Sequence, residues 1–299
     1  MVPATTPPTP RATYLSDKET GATVLYEASL NQLFATRGLG KSIVTNALLK
    51  CLIGGKDFLR LKSAGGLNVL LVDAELPPIQ LQERLKEFGD MGQLKIPSPY
   101  LMPDPKAFPN LSQAEGQQRF TERIAGLDAQ VIIFDALTRC FRFDTNDPDA
   151  WLRVNDFLTD LRAQGYCVLL VHHEGKNGTQ RGRTDGDDNL DVSIQLEKPY
   201  GWQPGDGLAF KWKYSKVRHG GHLPDFEASY EAEGGWRLVE DGRLPEVMKL
   251  HAAGKSTRAI ATALDMGQSA VSRLIRKANQ NGLAALNAKA GAESESVSQ

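Results

Sequence analysis

Cysteine is scarce, long apolar runs are missing and charge is balanced, and each shortage removes a class of protein. There are three cysteines, Cys51, Cys140 and Cys167, scattered along the chain and each set in an apolar run. An odd, scattered set gives neither a disulfide framework nor a zinc pattern, and suits buried thiols in a reducing cytosol, so a cytoplasmic location is expected. No run of about 18 apolar residues occurs, so no membrane span is expected. The formal net charge is -1 over 299 residues. No global field therefore draws nucleic acid or membrane, and any basic surface must be local. No HExxH pattern and no internal repeat is found. The opening MVPATTPPTP has no apolar signal core and reads as a disordered lead rich in Pro and Thr.

Against these absences stands a hydrophobic content of 41%. At ~100–200 residues per domain, that supports one large domain and a small one. Apolar runs alternate with amphipathic ones, which predicts an α/β domain: a mostly parallel twisted sheet flanked by helices. LNQLFAT, LNVLLVDAE, AQVIIFDAL and YCVLLVHHEG read as buried strands. The stretches after Pro78, after Ser112 and from Asp147 read as helices, with Ser112 and Glu115 predicted to form a capping box. Further on, DVSIQLEKP and LAFKWKYSKVR alternate as strands, and FEASYEAEGGWRLVE reads as a hairpin.

The most informative stretch is FATRGLGKS, residues 34–42. A GLGKS tail after an apolar strand and before a helix reads as a phosphate-binding P-loop, built here from Ala35, Thr36, Arg37, Gly38, Leu39, Gly40, Lys41 and Ser42. Its backbone N–H groups would close around the β-phosphate, Lys41 would reach the β/γ-phosphates, and the Ser42 hydroxyl would hold Mg²⁺. The following helix points its positive end at the same anion. Ala35 stands where the pattern has its first glycine, a place a methyl group tolerates at negative φ.

Other chemistry-bearing residues end the neighbouring strands. Asp135 closes VIIFD and suits a Mg²⁺ contact in the Walker-B role. Asp73 and Glu75 end VLLVDAE, where a carboxylate can orient and polarise a water. Glu75 is preferred, although alternation puts Asp73 on the same side. VLLVHHEG ends in two histidines, either of which could contact a γ-phosphate. In KYSKVRHGG, alternation puts Lys216 and Arg218 on one face, where paired cations can neutralise phosphoryl charge or, more plainly, protect a strand edge. The loop EGKNGTQRGRTDGDDN, with Lys176, Arg181 and Arg183, reads either as a nucleic-acid contact or as solvated surface.

Taken in order, ATRGLGKS, VDAELP, IIFDALTR, LLVHHEGK, QRG and YSKVR resemble the RecA-like ATPase core over roughly residues 20–240. Within it, they are most similar to the AAA-family ATPases allied to plasmid RepA-type hexameric helicases. The resemblance implies ATP and Mg²⁺ as ligands, Glu75 as catalytic carboxylate, Asp135 as Walker-B acid and His172 as γ-phosphate sensor. It further implies that Lys216 and Arg218 are fingers reaching a neighbouring subunit's site in a homo-oligomer, a ring or filament on DNA. The sequence carries no primase or zinc domain.

Residues 241–284 change character. Three helical stretches follow one another, with Gly254 ending the first, Ser256 capping the second and Asp265–Gly267 turning into the third. This spacing fits a helix-turn-helix, with a core of Ala259, Ile260, Ala263, Leu264, Val271, Leu274 and Ile275. Gln268, Ser269, Ser272, Arg273 and Arg276 are expected to face duplex DNA. Residues 241–290 carry eight Lys and Arg against three Asp and Glu, the local basic surface that phosphate contact requires. The expected organisation is a lead (1–15), a RecA-like ATPase domain (16–240), the helix-turn-helix (241–284) and a disordered tail (285–299). Function then reads as a DNA-associated ATPase, a helicase or translocase for plasmid, phage or mobile DNA. The alternatives are an ATP-gated transcriptional or copy-number regulator, or an inactive nucleotide binder.

Overall fold

The apolar runs expected as buried strands lie side by side in one sheet. The computed structural model describes residues 10–36, 38–86, 94–95, 108–143, 147–173, 189–199, 202, 207–231, 235–239, 243–264, 268, 271–272, 274–275 and 278–279. The strands are β1 (Thr13–Asp17), β2 (Thr23–Tyr26), β3 (Leu30–Ala35), β4 (Leu61–Ser63), β5 (Val69–Asp73), β6 (Leu94–Lys95), β7 (Val131–Asp135), β8 (Cys167–His173), β9 (Val192–Glu197), β10 (Leu208–Val217), β11 (Phe226–Glu231) and β12 (Gly235–Val239). The helices are α1 (Lys41–Gly54), α2 (Pro78–Lys86), α3 (Ala114–Ile124), α4 (Leu137–Phe141), α5 (Pro148–Ala163), α6 (Leu244–Ala252) and α7 (Thr257–Ala263). Contacts divide the chain into two compact units, Met1–Leu238 and Val239–Gln299.

In the first unit the nine-stranded sheet has the order β12-β11-β10-β9-β3-β8-β7-β5-β6. From β9 to β6 every pairing is parallel, while β10 runs antiparallel to β9 and β11 to β10. The parallel strands are buried on both faces, which is why they read as continuous apolar runs. Strand alternation sends Leu33, Leu71, Ile133 and Val171 to one core with Val44, Leu48 and Leu52 of α1. It sends Leu70, Ile132, Phe134 and Leu170 to another, with Phe120 of α3, Cys140 and Phe141 of α4, and Trp151, Phe157 and Leu161 of α5. These two cores are the layers of the expected doubly covered sheet.

Helix α1 is apolar on most of its surface and has little amphipathic contrast, as expected of a helix sandwiched between layers. Its other side is covered by a small three-stranded sheet, β2-β1-β4, whose Tyr14, Leu15, Val24, Leu25 and Leu61 join the α1 core. No pattern in the sequence marks this sheet. Its strands have only three to five residues, too short for a clear alternation, and β1 begins at Thr13, inside the expected lead. Helix α1 stops at Gly55, which takes φ 71°, and Gly65 packs on it with φ 70°. A Cβ on Gly65 would lie 2.6 Å from the Gly55 Cα, so the close approach needs glycine on both grounds.

Two local expectations change. Helix α3 starts one residue late, with Gln113 at its N-cap and no side-chain cap bond, so the Ser112–Glu115 capping box does not form. The Ser112 hydroxyl instead donates to Asn110 Oδ1 at 3.0 Å, in the preceding turn. The short helix α4 directly follows the Asp135 strand; at five residues it is below what periodicity resolves.

Beyond Val239, the last residue of β12, the described residues of the second unit form helices and their connecting turns. Ser256 caps α7, accepting from the Ala259 N–H at 3.2 Å, and Gly254 takes φ 75° after α6. Its core is Val247, Ile260, Ala261, Leu264, Val271, Leu274 and Ile275. Ala261 replaces the expected Ala259 and Ala263, which are exposed. Ala261 flanks Ile260 on the face shared with Leu264, whereas Ala259 and Ala263 lie on the other side of the same turns.

Candidate nucleotide site

Strand β3 delivers the chain to the C-terminal edge of the sheet, where ligands of open α/β sheets bind. Ala35 is its last residue, fully buried and paired in register with His173 and Leu196. It is absent from the residues with positive φ, so the methyl group sits in core space without backbone strain. Beyond Thr36, Gly38 and Gly40 take φ 80° and 77° around the buried Leu39. Arg37 lies outside the described residues. The Gly40 carbonyl accepts from the Ile43 and Val44 N–H groups at 2.9 and 3.0 Å, starting α1 at once. Ser42 is exposed on the first turn, and Lys41 is only 7% exposed. A loop with two left-handed glycines running into a helix N-terminus is an anion cradle.

Three acidic side chains gather at the same edge. Asp73 and Asp135 are level in register on adjacent strands, both buried, and alternation from Leu71 and Ile133 turns them to the α1 face. Asp73 Oδ1 accepts from the Glu75 and Leu76 N–H groups at 3.0 and 2.9 Å, so this carboxylate shapes the turn that carries Glu75. The Ala74 N–H donates to the Asp135 carbonyl at 3.0 Å, tying the two strand ends, and the Asp135–Ala136 peptide is cis. Glu75 is more open, with its side chain 40% exposed. Buried Cys140, beneath the strand ends, has its thiol pushed well up by burial and then by the charges of Asp135, Asp73 and Glu75.

The two histidines separate by strand alternation. His173 shares the face of Val171 and α1, and its Nε2 lies 3.5 Å from Glu75 Oε1. That contact, with smaller help from Lys41 and Arg139, holds the Glu75 carboxyl below its ordinary value against the opposing effect of burial. His172, the residue implied as sensor, turns to the opposite face. It is 3% exposed, stacks on Phe34 and bonds Gln32 Oε1 through Nε2 at 3.0 Å. Gln32 continues to Ser193 Oγ at 2.6 Å, and Ser193 to the exposed Ser215 at 2.7 Å, so His172 is the buried end of a polar chain across four strands. Burial pulls its pKa down to about 4.

This neutral, buried imidazole makes stability depend on pH. Its folded value lies below the ordinary 6.5, so its contribution is complete above about pH 6.5 and is lost as pH falls towards 4. The shift corresponds to about 3 kcal/mol at ~1.4 kcal/mol per unit. Thermal melting of the wild type is expected to fall steeply over that window. His172→Gln, which keeps an amide partner for Gln32, is expected to flatten the fall.

Lys216 and Arg218 do share a face, although not the one simple alternation gives. Phe210, Trp212 and Tyr214 point into the α1 core, and strict alternation would send Lys216 after them. An irregularity between Tyr214 and Lys216 resets the phase, so that Val217 joins the core and Lys216 and Arg218 turn outward to the other face. Because β10 runs antiparallel, Lys216 lies level with Ser193 and Gln32, and the Arg218 N–H bonds the Asp191 carbonyl near the start of β3. At ~3.3 Å per residue they sit about 10 and 16 Å below the end of β3. The chain does not bring them to its own P-loop.

A Mg²⁺ ion fits the residues present. Among the described residues no group of three His, Cys, Asp or Glu side chains forms a metal cage. Mg²⁺ beside a triphosphate needs none, since it takes one or two protein oxygens with phosphates and waters. Ser42, on the first turn of α1, and Asp135, at the end of β7, bring side-chain oxygens to this edge and would hold the ion. Of the residues expected at DNA, Gln268 is exposed and donates to Thr257 Oγ1 at 3.2 Å, and the Ser272 hydroxyl donates to the Gln268 carbonyl at 3.0 Å. Ser269, Arg273, Arg276 and the loop cations Lys176, Arg181 and Arg183 lie outside the described residues. No described helix is long and apolar enough to cross a membrane.

Comparison with known proteins agrees with this architecture. Residues 4–179 match the family model described as an AAA domain, and residues 246–292 match a helix-turn-helix domain. No curated protein matches the chain. Among solved structures, the KaiC-like protein PH0186 from Pyrococcus horikoshii OT3 superposes with a TM-score of 0.53 at 12% identity, over 78% of this chain and 100% of its own. The flagellar accessory protein FlaH from Methanocaldococcus jannaschii gives 0.52 at 16% identity, over 75% and 94%. Those likenesses show the shared fold. With more than half of its length matched, the chain belongs to the AAA domain family, its RecA-like core joined to a C-terminal helix-turn-helix.

Proposed function

We propose that this protein is a DNA-associated ATPase, and that its domain ends are those expected from sequence, with the ATPase over 16–240 and the helix-turn-helix over 241–284. The observation that carries the reading is the convergence of Lys41, Asp135, Glu75 and His173 on the sheet edge where β3 opens into the glycine cradle. The triphosphate lies along Gly38–Ser42 with Lys41 on its β/γ oxygens. Ser42 and Asp135 would hold Mg²⁺, which would supply charge neutralisation for the phosphates. Glu75, ionised at neutral pH, accepts a proton from a water. That water's oxygen bonds the γ-phosphorus as the bond from γ-phosphorus to the β-bridging oxygen breaks, giving ADP and phosphate. His173 holds Glu75 in place for this step.

Lys216 and Arg218 act in trans in this reading. Their distance from the chain's own cradle leaves another copy's phosphates as the target, which makes hydrolysis depend on assembly into a homo-oligomer, a hexameric ring being the form the RepA-type resemblance implies. With the tail on duplex DNA and core loops on single strands, the whole is a RepA-like helicase or translocase. A second reading is an ATP-gated regulator, favoured by a helix-turn-helix with its own apolar core.

ATP turnover with and without DNA separates them. A motor is expected to be stimulated several-fold by single-stranded DNA, to displace a strand and to gain mass with ATP. A regulator protects one duplex site and ignores single strands. Absence of Mg-ATP uptake in calorimetry would sink both. A chain truncated after residue 240 is expected to lose duplex binding and keep ATP uptake.

A further inference from the structure

We propose that Ser215 is a positioning residue: its hydroxyl fixes which residue of β10 is the extra one opposite β9, and so the direction in which Lys216 and Arg218 leave the strand. The proposal rests on the trans reading above, because it concerns how those two cations are presented to another copy's phosphates.

Strand β10 pairs with β11 only as far as Trp212, opposite Phe226. The Tyr214 N–H then goes to Asp225 Oδ1 at 3.1 Å. From Tyr214 to Val217, β9 is the only ladder partner among the described residues. The register against β9 sets Tyr214 opposite Ile194, Lys216 opposite Ser193 and Val217 opposite Val192, so Ser215 is the residue left over. Tyr214 and Val217 both pack against the α1 core with two residues between them, so strict alternation cannot serve both and one residue must be extra. Burial alone does not decide whether that residue is Ser215 or Lys216. The two choices aim the Lys216 side chain differently, because an extra residue stands off the pairing and bends the strand.

The Ser215 hydroxyl decides it. Its Oγ lies 2.7 Å from Ser193 Oγ and 3.2 Å from the Ser193 carbonyl oxygen. Gln32 Nε2 stands 2.6 Å from the same Ser193 Oγ. One assignment uses every hydroxyl hydrogen: Gln32 donates to Ser193 Oγ, the Ser193 hydroxyl to Ser215 Oγ, and the Ser215 hydroxyl to the Ser193 carbonyl. Ser215 is thereby tied to β9 by its side chain, and Lys216 is left to sit level with Ser193. The anchor is buried: Gln32 and Ser193 are 1% and 3% exposed, and Gln32 is held in turn by His172 at 3.0 Å. Ser215 and Arg218 are at the surface. A buried anchor that reaches one exposed strand residue beside two cations aims those cations, and the apolar packing on the α1 face does not involve it. Irregularities of this kind re-aim side chains next to functional sites.

The test uses the full chain, with ATP turnover and Mg-ATP binding measured separately. Ser215→Ala is expected to lower turnover about 10- to 100-fold, the scale of a group displaced by about 1 Å, with ATP affinity and melting temperature as in the wild type. Ser215→Thr, which keeps the hydroxyl, is expected to retain most of the turnover. A chain that misdirects its own cations still has a sound cradle. Mixing Ser215→Ala with Lys41→Ala, whose cradle is disabled but whose cations are intact, is therefore expected to raise turnover several-fold per Ser215→Ala chain. Arg218→Ala mixed with Lys41→Ala is the control for the trans reading itself and should recover in the same way. Suppose Arg218→Ala recovers, while Ser215→Ala turns over as the wild type, fails to recover in the mixture, loses ATP affinity or melts early. The proposal is then overturned and the trans reading stands. If Arg218→Ala turns over as the wild type, or does not recover, the trans reading is wrong and this inference goes with it.

Discussion

Glu75→Gln is expected to lower ATP turnover by about 100-fold or more while leaving Mg-ATP binding intact, since a positioned general base contributes ~10²–10⁴. The amide keeps the size of the side chain and a hydrogen-bond contact to His173 but cannot take a proton. Asp73 is the rival by position, yet its Oδ1 already accepts the N–H groups of Glu75 and Leu76. Asp73→Asn would leave an acceptor oxygen for that turn, so it is expected to cost far less than Glu75→Gln. His173 holds Glu75 below its ordinary value, which keeps the base ionised through the neutral range. His173→Ala should therefore lower turnover partially and shift the acid limb of the rate profile upward, because Glu75 then titrates nearer its ordinary value. Steady-state ATPase against pH on the three variants, with binding measured separately by calorimetry, checks the set. Wild-type turnover in Glu75→Gln would remove the residue from the mechanism.

The parts that were legible in sequence are those where one local rule suffices. The buried strands show as apolar runs, the cradle as a glycine pattern before a helix, and the carboxylates as the last residues of their runs. What was illegible depends on counting faces across irregularities. The choice between His172 and His173 needs the phase of β8 relative to α1, and Val171 in the α1 core supplies it. Alternation read from Val171 could have found His173. Gln32, a polar residue within an apolar strand, was a visible sign of a buried partner on the other face, and that partner is His172. The phase of Lys216 was not recoverable, because nothing in KYSKVR marks the irregularity that resets it. Leu208 at Gly40 is a contact between residues 168 positions apart, set by strand order rather than by any local pattern.

Arg60→Met is expected to be the most damaging single change to stability outside the two cores. Asp17 has a fully buried side chain, and Arg60 engages it with both Nε and Nη2, at 2.9 and 3.0 Å. Asp17 Oδ1 also accepts from the Glu19 and Thr20 N–H groups at 3.1 and 2.9 Å. Burial pushes this carboxyl up, but the Arg60 hydrogen bonds, the Thr20 N–H and the guanidinium charge outweigh it and hold the value below normal. Removing Arg60 leaves a buried charge without its partner, at a cost of about 3–5 kcal/mol. For a domain of this size that is a fall in melting temperature on the order of 10 °C. The pair stitches β1 to the chain entering β4, so the loss is expected first in the small sheet that covers α1. Asp17→Asn combined with Arg60→Met should recover much of the loss, because the buried charge is then gone as well. Because Asp17 is depressed in the fold, the pair stabilises the protein above about pH 4 and fades as the carboxyl protonates below it, so the gap between wild type and Arg60→Met should narrow in acid. Neither residue lies at the sheet edge that carries the cradle, so ATP turnover per folded molecule in Arg60→Met is expected to stay near wild type well below its melting temperature. A specific loss of turnover without a change in melting temperature would show that the small sheet acts on the nucleotide site rather than on the stability of α1.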